Sequence, residues 1–199
     1  MINILVIVFC KNSLLGKVKT RLAESIGDSN ALKVHNLLRD KTISVLKKLQ
    51  CDVAVFHSDF IPSNTNWSFT TNQKIQNGKN LGDRMENAFR WAFNKGYKRI
   101  CIIGSDLWSI EEKIFSEAFS ALEKNDVVFG PAEDGGYYLL GLKKLNSSLF
   151  NINSWGTSTV LMESIKKIDF KESIYYLPKL NDIDNEQDLN KHSEIKSLI

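Results

Sequence analysis

The stretch Ile4-Leu5-Val6-Ile7-Val8-Phe9 is continuously apolar and mostly β-branched. Such a run is typical of a strand that is buried on both faces of a parallel sheet. Further short apolar runs follow at residues 52–57, 99–103, 126–129 and 137–142, and longer segments of helical periodicity separate most of them. This alternation predicts an α/β fold in which helices flank a mostly parallel sheet.

The composition excludes several classes of protein. The 199 residues carry 26 Lys and Arg against 23 Asp and Glu, a net charge of +3. This balance is too weak to predict a nucleic-acid partner, which needs a concentrated basic face. The first apolar run is far shorter than the roughly 20 residues of a membrane span, and it lacks the features of a signal peptide. We therefore expect a cytoplasmic protein, with a single domain over residues 1–199 because no repeat or linker divides the chain.

The helical segments have recognisable boundaries. Apolar residues at spacings of three or four between Asp28 and Leu49 predict a helix that follows an N-cap at Asp28 or Ser29, and a second helix is predicted over residues 84–95. Ser109 and Glu112 match a capping box, which predicts a third helix that continues to about residue 124. The polar connection at residues 58–78 predicts at most one short strand, over residues 67–70.

A basic loop follows the first strand, at residues 16–22 (GKVKTRL). Open α/β sheets bind phosphate-bearing ligands at this position. The loop matches neither the Walker motif nor GxGxxG. Lys17, Lys19 and Arg21 alternate, so an extended loop directs all three toward one polyphosphate, and Arg21 can bind it bidentately. A solvated basic loop without a ligand is the equally open alternative.

Acidic residues mark two further candidate sites. Asp106 follows the predicted strand at 99–103, where its carboxylate suits a hard divalent cation on a diphosphate. The alternative is a helix cap, which Ser109 already provides. Asp182 and Asp184 alternate on an extended segment, which places them on the same side. Asp184 is therefore either a second metal ligand or the cap of a terminal helix.

A glycine-rich segment lies between the last two predicted strands, at residues 130–142 (GPAEDGGYYLLGL). Asp134-Gly135 is a common hairpin signal, and a simple turn is one interpretation. The pair Gly135-Gly136 also permits a ligand to approach the backbone closely. In that case Glu133 or Asp134 positions a sugar hydroxyl or acts as a base.

Taken together, five segments resemble, in order, the motif series of a bacterial glycosyltransferase-like family, usually described as arsenosugar-biosynthesis glycosyltransferases. This family is part of the nucleotide-diphospho-sugar transferase superfamily, with a GT-A-like (Rossmann-like) fold. It is similar to 2-phospholactate guanylyltransferase. The segments are GKVKTRL (16–22), NLGDRM (80–85), GSD (104–106), GPAEDGGYYLLGL (130–142) and DIDNEQDL (182–189).

The resemblance implies roles for individual residues. It assigns phosphate binding to the basic loop, proximity to the base to the segment at 81–82, and the sugar or acceptor side to the paired glycines. It assigns the metal, Mg²⁺ or Mn²⁺, to Asp106 and Asp184. The implied nucleotide-binding residues are Gly16, Lys17, Lys19, Arg21, Leu81, Gly82, Gly135 and Gly136. Where the family usually has proline, this chain has Ser13 and Trp108, so Trp108 and Trp155 are candidates to reshape the pocket or stack on the ligand.

These observations predict a metal-dependent glycosyltransferase that moves a sugar from a nucleoside-diphosphate sugar to a small acceptor. Lys19 and Arg21 stabilise the leaving group, and Asp134 orients or deprotonates the acceptor hydroxyl. Two alternatives stay open: a nucleotidyltransferase that releases pyrophosphate, and a nucleotide-binding module without turnover. The base, the sugar, the acceptor and the oligomeric state are left open.

Overall fold

The computed structural model describes residues 3–63 and 66–199, and in this part of the chain seven strands form one sheet in the order β3-β2-β1-β4-β6-β5-β7. Neighbouring strands are parallel except at β6, which runs antiparallel to both β4 and β5. The predicted fold class, an α/β fold with a mostly parallel sheet, is confirmed. The strands are β1 Ile4–Cys10, β2 Asp52–His57, β3 Asn72–Ile75, β4 Arg99–Ile103, β5 Val127–Pro131, β6 Tyr137–Leu142 and β7 Ile174–Tyr176.

Helices cover both faces of this sheet. Leu5 and Ile7 belong to one apolar cluster, which includes side chains of α2, whereas Val6 and Val8 belong to a second cluster with side chains of α1 and α3. This alternation confirms that β1 is buried on both faces. The helices are α1 Thr20–Leu46, α2 Leu81–Asn94, α3 Glu112–Lys124, α4 Val160–Ile165, α5 Glu186–Asn190 and α6 Ser193–Lys196, and a 3₁₀ turn spans Ser147–Phe150.

Helix α1 differs from its predicted bounds at both ends. It begins at Thr20, within the predicted loop, and ends at Leu46 instead of Leu49. Gly27 interrupts it with φ 80° and ψ 156°. The part after Gly27 begins where the apolar periodicity begins. The first part has a single fully buried residue, Leu22, and so carries little periodic signal.

Two other local predictions were wrong. Helix α3 begins at Glu112 with Glu111 at the N-cap, so Ser109 does not cap it. The residues around Ser109 are instead held by the buried side chains of Leu107 and Ile110. The short strand predicted at residues 67–70 is a turn, and β3 begins at Asn72. Residues 64 and 65 of that connection lie outside the described residues.

A third apolar cluster joins α1 to the end of the chain. Leu22, Val34 and Leu38 of α1 pack with Ile183, Leu189 and Ile195. Ile183 lies between Asp182 and Asp184, so this packing fixes the acidic segment beside α1. Within residues 3–63 and 66–199, every helix is too short or too polar to cross a membrane.

Candidate functional site

The site lies where β1 and β4 end at the same edge of the sheet. The loop from Lys11 to Lys19 follows β1, and Gly104 to Asp106 follows β4. The acidic segment near the end of the chain completes this edge, because the Ile183 amide donates to the Asp106 carbonyl at 3.2 Å and Leu107 pairs with Asp182. Three distant segments of sequence therefore meet at one point.

Lys19 is the centre of this meeting point. Its Nζ lies 2.7 Å from Asp106 Oδ1 and 3.2 Å from Asp184 Oδ1. The lysine side chain is 4% exposed, and its backbone is left-handed with φ 49°. Positive φ is uncommon in a residue with a side chain, so the surrounding contacts must hold this conformation. Arg21 approaches Asp184 Oδ2 at 3.7 Å from the solvent side.

The ion pairs fix the charges of this cluster. Burial disfavours the charged form of Lys19, but the carboxylates of Asp106 and Asp184 outweigh it and raise the lysine pKa. Burial likewise opposes ionisation of Asp106, and the charge and hydrogen bond of Lys19 nevertheless hold its pKa below the usual value. Lys19 and Asp106 are thus both charged at neutral pH.

A small cavity of about 110 Å³ opens at this cluster. The predicted loop residues differ in their relation to it. Lys19 and Arg21 line it, whereas Gly16 and the exposed Lys17 do not. The three basic side chains therefore do not point together, because Lys19 turns inward and the helix begins at the next residue. The lining residues are Lys11, Lys19, Thr20, Arg21, His35, Asp106 and Asp184.

A larger cavity of about 370 Å³ adjoins the small one. Lys11, His35 and Asp106 line both cavities, so these three residues lie at the border between them, which we call the neck. The wall of the large cavity is mixed, with aromatic rings and a few polar groups, as is typical of small-molecule sites. Its aromatic lining is Phe9, Tyr137, Tyr138 and Trp155, and its polar lining includes Ser58, Gln76, Arg84, Asp134, Thr157 and Asp182.

The glycine-rich segment is both a hairpin turn and a wall of the large cavity. The Gly136 amide donates to Asp134 Oδ1 at 2.8 Å, and both residues line the cavity. Gly135 has φ +92°, and a Cβ there would meet the Ser158 carbonyl oxygen at 2.1 Å. Gly135 therefore does not line the cavity but allows the hairpin to pack against the loop before α4.

In the segment at 81–82, likewise, one residue lines the large cavity and the other makes room for a neighbouring side chain. Leu81 is partly exposed and lines the large cavity. Gly82 is buried, and a Cβ there would meet Trp155 Nε1 at 2.7 Å, so it makes room for that indole. Trp155 lines the cavity as expected, but Trp108 does not. Its ring packs in the third apolar cluster with Lys41 Nζ 5.8 Å from the ring centroid.

Asp182 also lines a cavity, although the sequence predicted no ligand contact for it. Asp182 lines the large cavity and Asp184 the small one, so the two carboxylates do not share one cavity. Burial and the nearby carboxylate of Asp134 raise the pKa of Asp182 to about 6. The Asp-Ile-Asp spacing is its only signal in the sequence. Asp184 does not cap the following helix, because Asn185 and Asp188 form the capping box of α5.

The donor set suits a divalent cation that is shared with a ligand. Within residues 3–63 and 66–199, no three His, Cys, Asp or Glu side chains gather closely enough to hold a metal ion on their own. Asp106 and Asp184 nevertheless converge on the same ammonium. Mg²⁺ is commonly held by one or two carboxylates with substrate phosphates and water, so two carboxylates beside a polar cavity fit it.

Solved structures share this fold. A protein from Desulfovibrio desulfuricans G20, provisionally described as a nucleotide-diphospho-sugar transferase, is 30% identical over 96% of this chain and 86% of its own, with a TM-score of 0.87. The 4-diphosphocytidyl-2C-methyl-D-erythritol synthase from Anaerococcus prevotii is 9% identical over 97% and 96%, with a TM-score of 0.62. A cytidylyltransferase from Leptospira borgpetersenii is 12% identical over 100% and 88%, also at 0.62. The last two show the fold alone.

The sequence comparisons identify one family. None of the curated proteins compared with the chain matches it. The model of a bacterial family, described as "Uncharacterized protein conserved in bacteria (DUF2064)", matches residues 42–157, more than half of the chain. The predicted superfamily is thereby confirmed, and neighbours of this fold are transferases and nucleotidyltransferases. The chain belongs to the DUF2064 family, in the nucleotide-diphospho-sugar transferase superfamily.

Proposed function

We propose that this protein transfers a sugar from a nucleoside-diphosphate sugar to a small acceptor with the help of a divalent metal ion. The observation that carries the proposal is the pair of neighbouring cavities, which share three lining residues. The small one has cationic and carboxylate groups, and the large one has aromatic rings and hydrogen-bonding side chains. A nucleotide sugar likewise combines a charged diphosphate with uncharged rings, namely the base, the ribose and the transferred sugar.

The diphosphate belongs in the small cavity. Lys19 and Arg21 supply fixed positive charge there, and Lys11 adds a third cation at the neck. A cation that is already oriented stabilises charge that develops on a leaving group without further reorganisation. Gly16 and Lys17 then act from outside, by shaping the loop and by attracting the anion from solvent.

Asp106 and Asp184 are the residues that would hold Mg²⁺ or Mn²⁺. A bound dication would neutralise the diphosphate and make it a better leaving group. Both carboxylates face Lys19, which keeps Asp106 ionised and holds the two side chains near each other. Carboxylates beside an anionic ligand are otherwise unfavourable, because like charges repel.

Asp134 is the residue that we assign to the acceptor. It is exposed at the wall of the large cavity, and Oδ1 accepts from the Gly136 amide. This contact holds one carboxylate oxygen, and we assign to Asp134 the role of orienting or deprotonating an acceptor hydroxyl. Gly135 and Gly136 shape this sugar and acceptor side. Leu81 lies near the base, and Gly82 supports Trp155 behind it.

Nucleotidyl transfer is a second candidate. It is favoured by the fold shared with the cytidylyltransferases and by the buried Lys19, which suits an α-phosphate under attack. The two reactions use the same cavities but release different products. Pyrophosphate is released only in nucleotidyl transfer, and a nucleoside diphosphate only in glycosyl transfer.

The first experiment is thermal stabilisation by nucleoside diphosphates, triphosphates and nucleotide sugars, with and without Mn²⁺. A ligand at a hundred times its Kd adds about 2.7 kcal/mol to the free energy of unfolding. We expect stabilisation by a nucleoside diphosphate or its sugar that needs Mn²⁺ and is lost in Asp106→Asn. Asp169→Asn is the matched control, because Asp169 is exposed in the loop before β7 and lines neither cavity.

The other outcomes are equally informative. Stabilisation by triphosphates alone, with pyrophosphate released on incubation, would favour nucleotidyl transfer. Stabilisation without turnover of any nucleotide or nucleotide sugar would leave a binding module. If no nucleotide stabilises the protein in either metal condition, the proposed function is wrong.

A further inference from the structure

His35 is a buried polar residue that the proposed chemistry does not use. It lies on α1, is 2% exposed and lines both cavities at their neck. Its Nε2 has no hydrogen-bond partner among the described residues. Buried polar atoms in native proteins are nearly always paired, with protein groups, water or a ligand, so an unpaired one beside a cavity indicates a ligand contact.

The surroundings of the ring determine what Nε2 can do. The backbone of Lys11 lies close enough to the imidazole to favour a proton on the ring. Burial lowers the pKa of His35 despite the nearby carboxylate of Asp106, so the ring is neutral at neutral pH. In the neutral tautomer that carries its proton on Nδ1, Nε2 is an acceptor.

The other two histidines of the chain do not have an unpaired ring nitrogen at the neck. His57 is equally buried, but its Nε2 lies 3.0 Å from Gln73 Oε1. His192 also has an unpartnered Nε2, but it lies at the N-cap of α6 and lines neither cavity. Of the three histidines in the chain, His35 alone combines an unpaired acceptor with a position at the neck.

We infer that His35 Nε2 accepts a hydrogen bond from a ring hydroxyl of the bound nucleotide, at the point where a sugar ring joins the phosphates; this rests on the proposed function. Phosphate oxygens are themselves acceptors at neutral pH and cannot satisfy Nε2. A hydroxyl can. The neck lies between the cavity assigned to the phosphates and the cavity assigned to the rings, so the group that passes it is a phosphate-bearing sugar.

Two hydroxyl sources share this chemistry, the ribose and the transferred sugar, and one set of binding measurements distinguishes them. The probes are UDP, CDP, GDP and ADP with Mn²⁺, their triphosphates, the 2′-deoxy and 3′-deoxy forms, and UDP-glucose and GDP-mannose. The variants are His35→Leu, which removes the acceptor, and His35→Gln, whose carboxamide oxygen reaches close to the position of Nε2. His57→Leu is the matched buried control.

If the hydroxyl belongs to the ribose, the wild type prefers a ribonucleotide over one of its deoxy forms by roughly ten- to a hundredfold in Kd, because the deoxy form leaves a buried acceptor unpaired. His35→Leu loses that preference, and His35→Gln recovers part of it. If the hydroxyl belongs to the transferred sugar, His35→Leu binds the nucleoside diphosphate normally and loses the added affinity for the nucleotide sugar. His57→Leu keeps the wild-type preferences in either case.

The inference is overturned if His35→Leu binds nucleotides and retains every preference of the wild type. That result would leave the proposed function intact. Failure of the wild type to bind any nucleotide would overturn both, so the two failures are distinguishable. Urea denaturation of each variant separates loss of binding from loss of folding, and the rescue by glutamine distinguishes a ligand contact from simple packing of α1.

Discussion

In the small cavity, Asp106 and Asp184 share the ammonium of Lys19, whereas in the large cavity Asp134 and Asp182 form no salt bridge within the described residues. The consequence is visible in the pKa values. Lys19 lowers the pKa of Asp106, but burial and Asp134 raise that of Asp182 to about 6. The carboxylates of the small cavity are therefore paired with a buried lysine, whereas Asp134 and Asp182 of the large cavity have no salt-bridge partner among the described residues.

Because the carboxylates are paired in one cavity and unpaired in the other, the two cavities suit different groups of a ligand. A preorganised charged cavity suits a group whose charge is always present, such as a diphosphate. A cavity with unpaired carboxyl groups suits a partner that brings hydroxyl donors. Four substitutions test whether the two cavities are distinct in stability and in binding.

The largest effect is expected at the wall of the large cavity, for Gly135→Ala. The new Cβ would meet the Ser158 carbonyl oxygen at 2.1 Å, at a φ of +92°. We expect the free energy of unfolding to fall by about 3 kcal/mol, from backbone strain and overpacking together. Urea denaturation measures it.

Gly156→Ala is the control for Gly135→Ala. Gly156 has φ +82°, but a Cβ there has nothing within 4 Å. Strain alone predicts a loss of about 1 kcal/mol. Equal losses in the two variants would mean that the contact with Ser158 does not constrain the cavity wall.

The next effect is expected in the small cavity, for Lys19→Met. Methionine keeps much of the volume but leaves Asp106 and Asp184 without their shared cation. Removing one partner of a fully buried pair costs about 3–5 kcal/mol. Because the two carboxylate side chains are 45% and 40% exposed, we expect a loss of about 2 kcal/mol in the free energy of unfolding.

Lys17→Met is the matched control for Lys19, two residues earlier in the same loop. Lys17 is exposed, so its replacement is expected to change the free energy of unfolding by less than about 0.5 kcal/mol. A similar loss in both variants would argue that the net charge of the loop matters and the buried pairing does not.

Asp182→Asn tests the raised pKa. The folded protein holds the Asp182 proton more strongly than the unfolded chain, so this group's contribution to stability is present below about pH 4 and is lost as the pH rises through about 6. The asparagine variant is therefore expected to match the wild type at pH 4. At pH 7.5 it is expected to be more stable, by about 1 kcal/mol because Asp182 is only partly buried.

A series of urea denaturations from pH 4 to pH 8 measures this difference. A constant difference across the series would contradict the raised pKa of Asp182. Asp169→Asn is the control, since its carboxylate is exposed and lines neither cavity.

The smallest effect on stability is expected for Arg21→Gln. Its side chain is 69% exposed and lies 3.7 Å from Asp184, so the free energy of unfolding should change by less than about 0.5 kcal/mol. Binding of nucleoside diphosphates should nevertheless weaken about tenfold, because a charged contact to phosphate is lost. Calorimetric titration measures it, with the exposed Lys33→Gln on the same helix as the control. Unchanged affinity would exclude Arg21 from the phosphate site.

The sequence predicted five of the seven described strands, because short apolar runs bounded by polar residues leave little freedom, but it missed β7 and the position of β3. The bounds of β2, β4 and β6 agree with the predicted runs. The prediction of α1 from the sequence was poorer, since the helical residues before Gly27 show little apolar periodicity.

The candidate site was predicted in part. Asp106, Asp184, Lys19 and Arg21 come together as the motifs indicated. The inward turn of Lys19 and the separate position of Asp182 were not predicted, because they depend on contacts between residues 165 apart in sequence, such as Lys19 with Asp184. Alternation along a strand does not report which of two neighbouring cavities a side chain enters.

The pairing of Leu107 with Asp182 and of Ile183 with Asp106 also has a consequence for synthesis on the ribosome. Residues 4–176 already contain all seven strands, so a nascent chain can assemble its sheet before the acidic segment emerges. Until then Lys19 has a single carboxylate partner, Asp106. The charged cavity is therefore completed only after every strand of the described sheet has been synthesised.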